Sequence, residues 1–99
     1  NGPSFIHVHA PCPTGWYFPA SQTVKIGKLA IESGLWILWE RENGKIKINR
    51  QKFDSEKINE YLSLQGRYSN ISDEIVEEIK NEVIRKYQIL KKLEELDYF

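Results

Sequence analysis

The sequence predicts an α/β fragment, α+β when taken by itself, and three observations predict it. A short run rich in β-branched and aromatic residues, Ser4–Ala10, follows a Gly2-Pro3 turn signal and reads as a strand. An Asn43-Gly44 pair lies between two segments of strand character, the strongest short-range sign of a β-hairpin. An apolar stripe at helical spacing runs through Ile75, Ile79, Val83, Tyr87 and Leu90.

As a strand, Ser4–Ala10 puts Phe5, His7 and His9 on one face and Ile6, Val8 and Ala10 on the other. Neither face is solvent-like, so the expectation is an interior strand covered on both sides. Such a strand needs neighbours that 99 residues scarcely supply, and the sheet is expected upstream. The chain has no methionine, even at position 1, and reads as a piece of something larger. Next comes Ala10-Pro11-Cys12-Pro13-Thr14-Gly15-Trp16. Two prolines fix φ on both sides of the cysteine and remove two N–H donors, which predicts a stiff loop, neither helix nor ladder.

Ser21–Ser33 is predicted as a helix, with Ser21 as N-cap, Val24, Gly27, Ala30 and Ile31 as its packed face, and Gly34 at C′. Leu35–Arg41 is predicted as a strand. A type I′ turn at Asn43-Gly44 pairs Glu42 with Lys45 and Glu40 with Lys47 on one side. Trp39 then faces Ile48, and Arg41 faces Ile46. Ser55 is expected to cap a short helix, Glu56–Leu64, with Gly66 at its C′. Ser72 caps a long one, with Asp73, Glu74, Glu77 and Glu78 near its start and Lys91 and Lys92 near its end, as the helix dipole favours. Val76, Leu93 and Leu96 lie beside the stripe, and Glu82–Lys86 is an expected i,i+4 ion pair.

Composition bounds the function. Forty per cent hydrophobic residues allow one modest core, and no apolar run approaches the roughly 20 residues of a membrane helix. Fourteen basic and fourteen acidic side chains cancel, which argues against a general nucleic-acid binder. The charges are segregated: residues 1–53 hold seven Lys/Arg against three Asp/Glu, residues 54–99 seven against eleven. One cysteine excludes an internal disulfide framework and a multi-thiolate zinc finger, and makes the cytoplasm the expected compartment.

Chemistry centres on Cys12. One reading is a structural cysteine buried in a tight turn, which is inert. The other is a metal or cluster ligand held by a rigid backbone. His7, His9 and Cys12 together form a third possibility, three zinc-type ligands if the loop curls back over the strand. A cofactor-free interaction module built on the long helix is a further alternative.

The run SFIHVHAPCPTGW resembles the C-terminal region of the β subunit of 2-oxoacid:ferredoxin oxidoreductases, pyruvate:ferredoxin oxidoreductase above all. The likeness continues in order through KIGKLAIESGLW, LWERENGKIKI and YLSLQGRYSNIS, from about Ser4 to Ser72. The resemblance implies a thiamine-diphosphate-binding α/β subunit with a 4Fe-4S cluster near that cofactor. Cys12 matches the cysteine that supplies one of the cluster's four ligands. It also implies oxidative decarboxylation of a 2-oxoacid, pyruvate by overall likeness, with coenzyme A and electrons passing to ferredoxin, or the reverse. On this reading residues 1–53 complete an upstream domain and residues 54–99 form a helical arm for contacts with other subunits. The family's Gly-Asp-Gly motif for thiamine diphosphate and Mg2+, and three further cluster cysteines, do not occur in these 99 residues. The chain by itself is therefore expected to be inactive.

Overall fold

A computed structural model describes residues 2–49 and 52–96. A strand exists only if its N–H and C=O groups find a ladder, and here the two strands pair with each other. Residues 2–12 consequently carry no strand ladder, and the interior strand expected at Ser4–Ala10 is corrected to an irregular segment. Phe5, Ile6 and Val8 on it are 88%, 83% and 72% exposed. The stiff loop is corrected as well: Pro13–Trp16 forms one helical turn, α1, with Cys12 as its N-cap. Pro13 stands where a proline is harmless, because the first helical N–H has no partner inside the helix.

Helix α2 spans Thr23–Glu32 and α3 spans Lys57–Ser63. Ser21 does not cap α2; a 3-10 turn at Ala20–Gln22 leads straight into it, and the Thr23 hydroxyl donates to the Ala20 carbonyl at 2.7 Å. The packed face is also rotated from the expected one. Ile26, Leu29 and Ala30 are buried while Val24 is 70% exposed, because the apolar residues of α2 are frequent enough to support either face. Gly34 follows the end of α2 with φ +85°, as a C′ glycine should. A Cβ there would also strike the Phe53 ring. Ser55 gives α3 no side-chain cap; the Asp54 carboxylate accepts from the Glu56 N–H at 3.0 Å instead. Gly66 is not a left-handed C′ residue but opens a 3-10 turn, Gly66–Tyr68.

Helix α4 spans Asp73–Glu95. The Ser72 hydroxyl accepts from the Ile75 N–H at 3.3 Å, so the expected cap is present. Val83 and Leu90 are buried, Val76 and Ile79 pack against the core, and Tyr87 meets the Phe53 ring edge-on at 4.9 Å. Ile75, at the head of the expected stripe, is exposed. Glu82 pairs with Arg85, whose Nε donates at 3.0 Å, rather than with Lys86. Lys80 is buried, yet its ammonium is held by Glu56 at 2.9 Å and Glu77 at 3.5 Å. The Glu56 hydrogen bond in particular raises its pKa. Phe18, Ile26, Leu29, Ala30, Ile58, Tyr61, Leu62 and Val83 make one core from both halves of the chain.

Strands β1, Trp39–Glu42, and β2, Lys45–Ile48, pair antiparallel in the expected register: Trp39 with Ile48, Glu40 with Lys47, Arg41 with Ile46 and Glu42 with Lys45. The strand begins at Trp39 rather than Leu35. Trp36 N–H donates back to Ala30 O at 2.9 Å, so the chain is still tied to α2 at that point. The turn residues Asn43 and Gly44 have φ of +53° and +80°, both in the left-handed region that a type I′ turn requires. Ile48 is buried, and its N–H donates to the Glu94 carboxylate at 2.7 Å, which docks the hairpin on α4.

Two predictions follow from this architecture. The radius of gyration is 15.4 Å, against about 13 Å for a compact 100-residue domain, and the exposed apolar segment at Phe5–Val8 lies on that open form. The chain should self-associate, and sedimentation at rising concentration should show it. Replacing Ile6 and Val8 together with lysine should restore a monomer; a wild-type chain that stays strictly monomeric refutes the reading. Gly44→Val places a β-branched residue at positive φ and should lower stability by roughly 1–2 kcal/mol in denaturant unfolding.

Candidate functional site

Cys12 sits at the N-terminal end of α1 with extended backbone, φ −119° and ψ 102°. The turn closes beneath it: Trp16 N–H donates to Cys12 O at 2.9 Å and Phe18 N–H to Pro13 O at 3.2 Å. Gly15 N–H points at the sulfur, with N to Sγ 3.4 Å. The thiol is exposed, so the buried structural reading of this cysteine does not hold in this chain. One sulfur with a backbone amide on it and an open side suits a ligand position. Amide hydrogen bonds to cluster sulfurs are among the factors that set cluster potentials.

The turn rests on three neighbours. Pro11 lies over α2, where a Cβ on Gly27 would be 3.6 Å from its Cγ. Tyr17, in the left-handed region at φ +57°, has its carbonyl accepting from Gly66 N–H at 2.7 Å. The Arg67 guanidinium lies 3.9 Å over the Trp16 ring.

Both histidines meet Trp36. His7 meets its ring edge-on at 4.8 Å, and His9 stacks on it at 4.9 Å with Trp16 at 5.6 Å. The expected common face is therefore visible as two contacts with one indole. The zinc arrangement is not: among the described residues no three His, Cys, Asp or Glu side chains come together to hold a metal. His9 Nε2 is buried without a hydrogen-bond partner. Burial lowers its pKa from the ordinary 6.5, and the Arg67 charge and His7 lower it further, so the ring is held neutral. Arg67 and the buried Gln65 beside it are not found by reasoning from sequence spacing, since 50 residues separate them from the cysteine loop. The signal for them is chemical: a planar cation in a chain with three tryptophans.

The His9 shift has a signed consequence. Because the unfolded ring binds its proton more readily than the folded one, the associated stability is fully present above 6.5 and is lost as pH falls toward the folded value. Thermal melts from about pH 8 to about pH 5 should show His9→Leu losing less stability on acidification than the wild-type chain. Parallel curves for the two proteins would contradict the neutral-ring assignment.

No model of a known protein family matches the chain. Single proteins do. The chain is 43% identical over 97 residues to the ketoisovalerate oxidoreductase subunit VorB of Pyrococcus abyssi, a match covering 96% of the chain. It is 40% identical over 90 residues to the pyruvate synthase subunit PorB of Methanocaldococcus jannaschii, covering 91% of the chain. It is also 46% identical over 70 residues to PorB of Methanosarcina barkeri. The chain spans about a third of the length of the first two relatives, 31% and 30%.

Proposed function

Because the chain belongs to the β-subunit family of the 2-oxoacid:ferredoxin oxidoreductases over the stretch those matches cover, we propose that Cys12 supplies one of four thiolates to a 4Fe-4S cluster. The observation that carries the proposal is the exposed sulfur at the head of α1, fixed by flanking prolines and facing one backbone N–H. A four-iron cluster needs four ligands, so three come from outside these residues. The same holds for thiamine diphosphate and Mg2+, whose Gly-Asp-Gly motif the chain lacks.

The reaction proposed for the complete complex is oxidative decarboxylation of a 2-oxoacid with coenzyme A. It yields an acyl-CoA and carbon dioxide, and two electrons pass singly to ferredoxin; the reverse carboxylation uses the same steps backwards. Thiamine diphosphate supplies the carbanion chemistry and the cluster the one-electron steps. This chain's own share is structural: it holds one sulfur in a turn closed by the Trp16 N–H bond to Cys12 O, and contributes residues 54–99 to contacts with other subunits. Residues 1–53 would complete the thiamine-diphosphate domain. Relatives named for ketoisovalerate and for pyruvate match at 43% and 40%, which supports the 2-oxoacid class rather than one member of it. The enzyme is proposed to work in the cytoplasm, and the chain alone to be inactive. Among the described residues no helix is long and apolar enough to cross a membrane.

The test is Cys12→Ala in the assembled complex. Iron content should fall by up to one cluster, the paramagnetic signal of the reduced cluster should weaken or change, and ferredoxin reduction should drop steeply. Binding of the 2-oxoacid should survive, since it does not need the cluster. Wild-type iron content and wild-type ferredoxin reduction would sink the ligand assignment.

A further inference from the structure

Arg67 has no part in the chemistry proposed above, yet its side chain ties two distant parts of the chain together. Its guanidinium carbon lies 3.9 Å from the centroid of Trp16 and 4.6 Å from that of Tyr68, so the planar cation stacks on two rings. Its Nε donates to Gln65 Oε1 at 2.8 Å. Gln65 is itself buried, and its Nε2 donates to the Tyr61 carbonyl at 2.8 Å. A continuous set of contacts therefore runs from α3 in the core, through Gln65 and Arg67, to Trp16. From Trp16 it passes by the 2.9 Å N–H bond to the carbonyl of Cys12.

We propose that Arg67 is the positioning residue of the Cys12 turn: buried Gln65 orients its guanidinium, and the guanidinium orients Trp16 and so the backbone that carries the thiol. The geometry selects arginine over lysine. A point-like ammonium can sit over a ring, but it cannot present a flat face to Trp16 while donating edge-on to Gln65. The neighbouring contact works in the same direction. Gly66 N–H holds the Tyr17 carbonyl at 2.7 Å, and a Cβ on Gly66 would strike Tyr17 Cβ at 2.7 Å, so the two backbones touch one residue away from the stack. The cationic head also lies close enough to His9 to help keep that ring neutral. Arg67 is itself exposed, but its replacement takes a donor from buried Gln65, so each variant is first checked for its native fold. In its consequence for a cluster the proposal rests on the ligand reading of Cys12; in its geometry it does not.

Cys12 is the chain's one cysteine, so a nitroxide attached to it reports the turn directly. In Arg67→Ala the mobile fraction of the spin-label spectrum should rise about two- to fivefold, the factor an exposed cation–π contact is worth. Trp16→Leu should do the same, and the double variant should rise no further than either. Should Arg67→Ala fail to fold, Arg67→Lys serves in its place, with a smaller rise. In the assembled complex Arg67→Ala should keep the iron but shift the paramagnetic signature of the reduced cluster, an effect that loss of stability alone would not produce. A wild-type line shape in the Arg67 variant, or strictly additive rises in the double variant, would overturn the positioning role. If the line shape responds while Cys12→Ala retains its iron, the clamp stands and the ligand reading falls.

Discussion

Ile26 and Ala30 on α2 and Ile58 and Tyr61 on α3 lose all or nearly all contact with water, and the surrounding elements are built on that seam. Neither helix would persist without it. With 10 and 7 residues they are shorter than the roughly 12–15 residues at which an isolated helix is even marginal. Burial of each large apolar side chain contributes roughly 1.5–3 kcal/mol, and two or more on each helix together offset a nucleation penalty of about 4 kcal/mol. Once the seam is set, its polar groups are satisfied locally. Ser33 donates to Ala30 O at 3.3 Å and accepts from Leu35 N–H at 3.3 Å, so α2 ends without a stranded hydroxyl. Gln65 does the same at the far end of α3, and this is what makes it a fixed support for the turn beside it.

What the sequence made legible was what depends on neighbours in sequence. Asn43-Gly44 sets a register through two positive φ angles, and all four cross-strand pairs follow from it. Ser72 can cap α4 because its acceptor and the Ile75 donor are three residues apart. What depended on distant partners was misread. Ser4–Ala10 has strand composition, but composition supplies no ladder. The face of α2 could not be chosen between two apolar registers until α3 was there to bury one of them. Lys80 stands beside Val76, Val83 and Tyr87 on the packed side of the helix, but nothing near it in sequence shows that an ammonium can be buried there. It is buried because Glu56, 24 residues earlier, reaches it with a carboxylate.

The site divides along the same line. Two prolines around one cysteine mark Cys12 by local stiffness alone, and that feature is visible before any fold is known. The flanking prolines do not exclude a helix, because a proline at the first helical position loses nothing. The supports of the turn were invisible: Gly27, Gly66 and Arg67 have no linear relation to Cys12, and the Gln65-Gly66-Arg67 run looks like an ordinary helix end. His9 shows the reverse case. Its pairing with His7 suggested a metal face, but Trp36 stands against both rings, and aromatic stacking takes the place that coordination would have had.

These contacts bear on how one short turn would serve the ligand role proposed for Cys12. A ligating sulfur has to be held to within about 0.5 Å of its productive position, and an exposed four-residue helix cannot do that by its own hydrogen bonds. Three attachments of different physical kinds surround it. Pro11 packs on Gly27, where a Cβ would come into ordinary contact with its ring at 3.6 Å. Tyr17 is bound through its backbone to Gly66, a contact of fixed length and direction. Trp16 lies under the Arg67 guanidinium, a cation–π contact at 3.9 Å. Gly27 lies on α2, and Gly66 and Arg67 both lie in the turn after α3, so the Cys12 turn is held from two elements. Loss of one leaves two, and the turn then gains freedom without coming loose. A graded loss of alignment, rather than loss of the fold, is therefore what this arrangement dictates for any single change around Cys12.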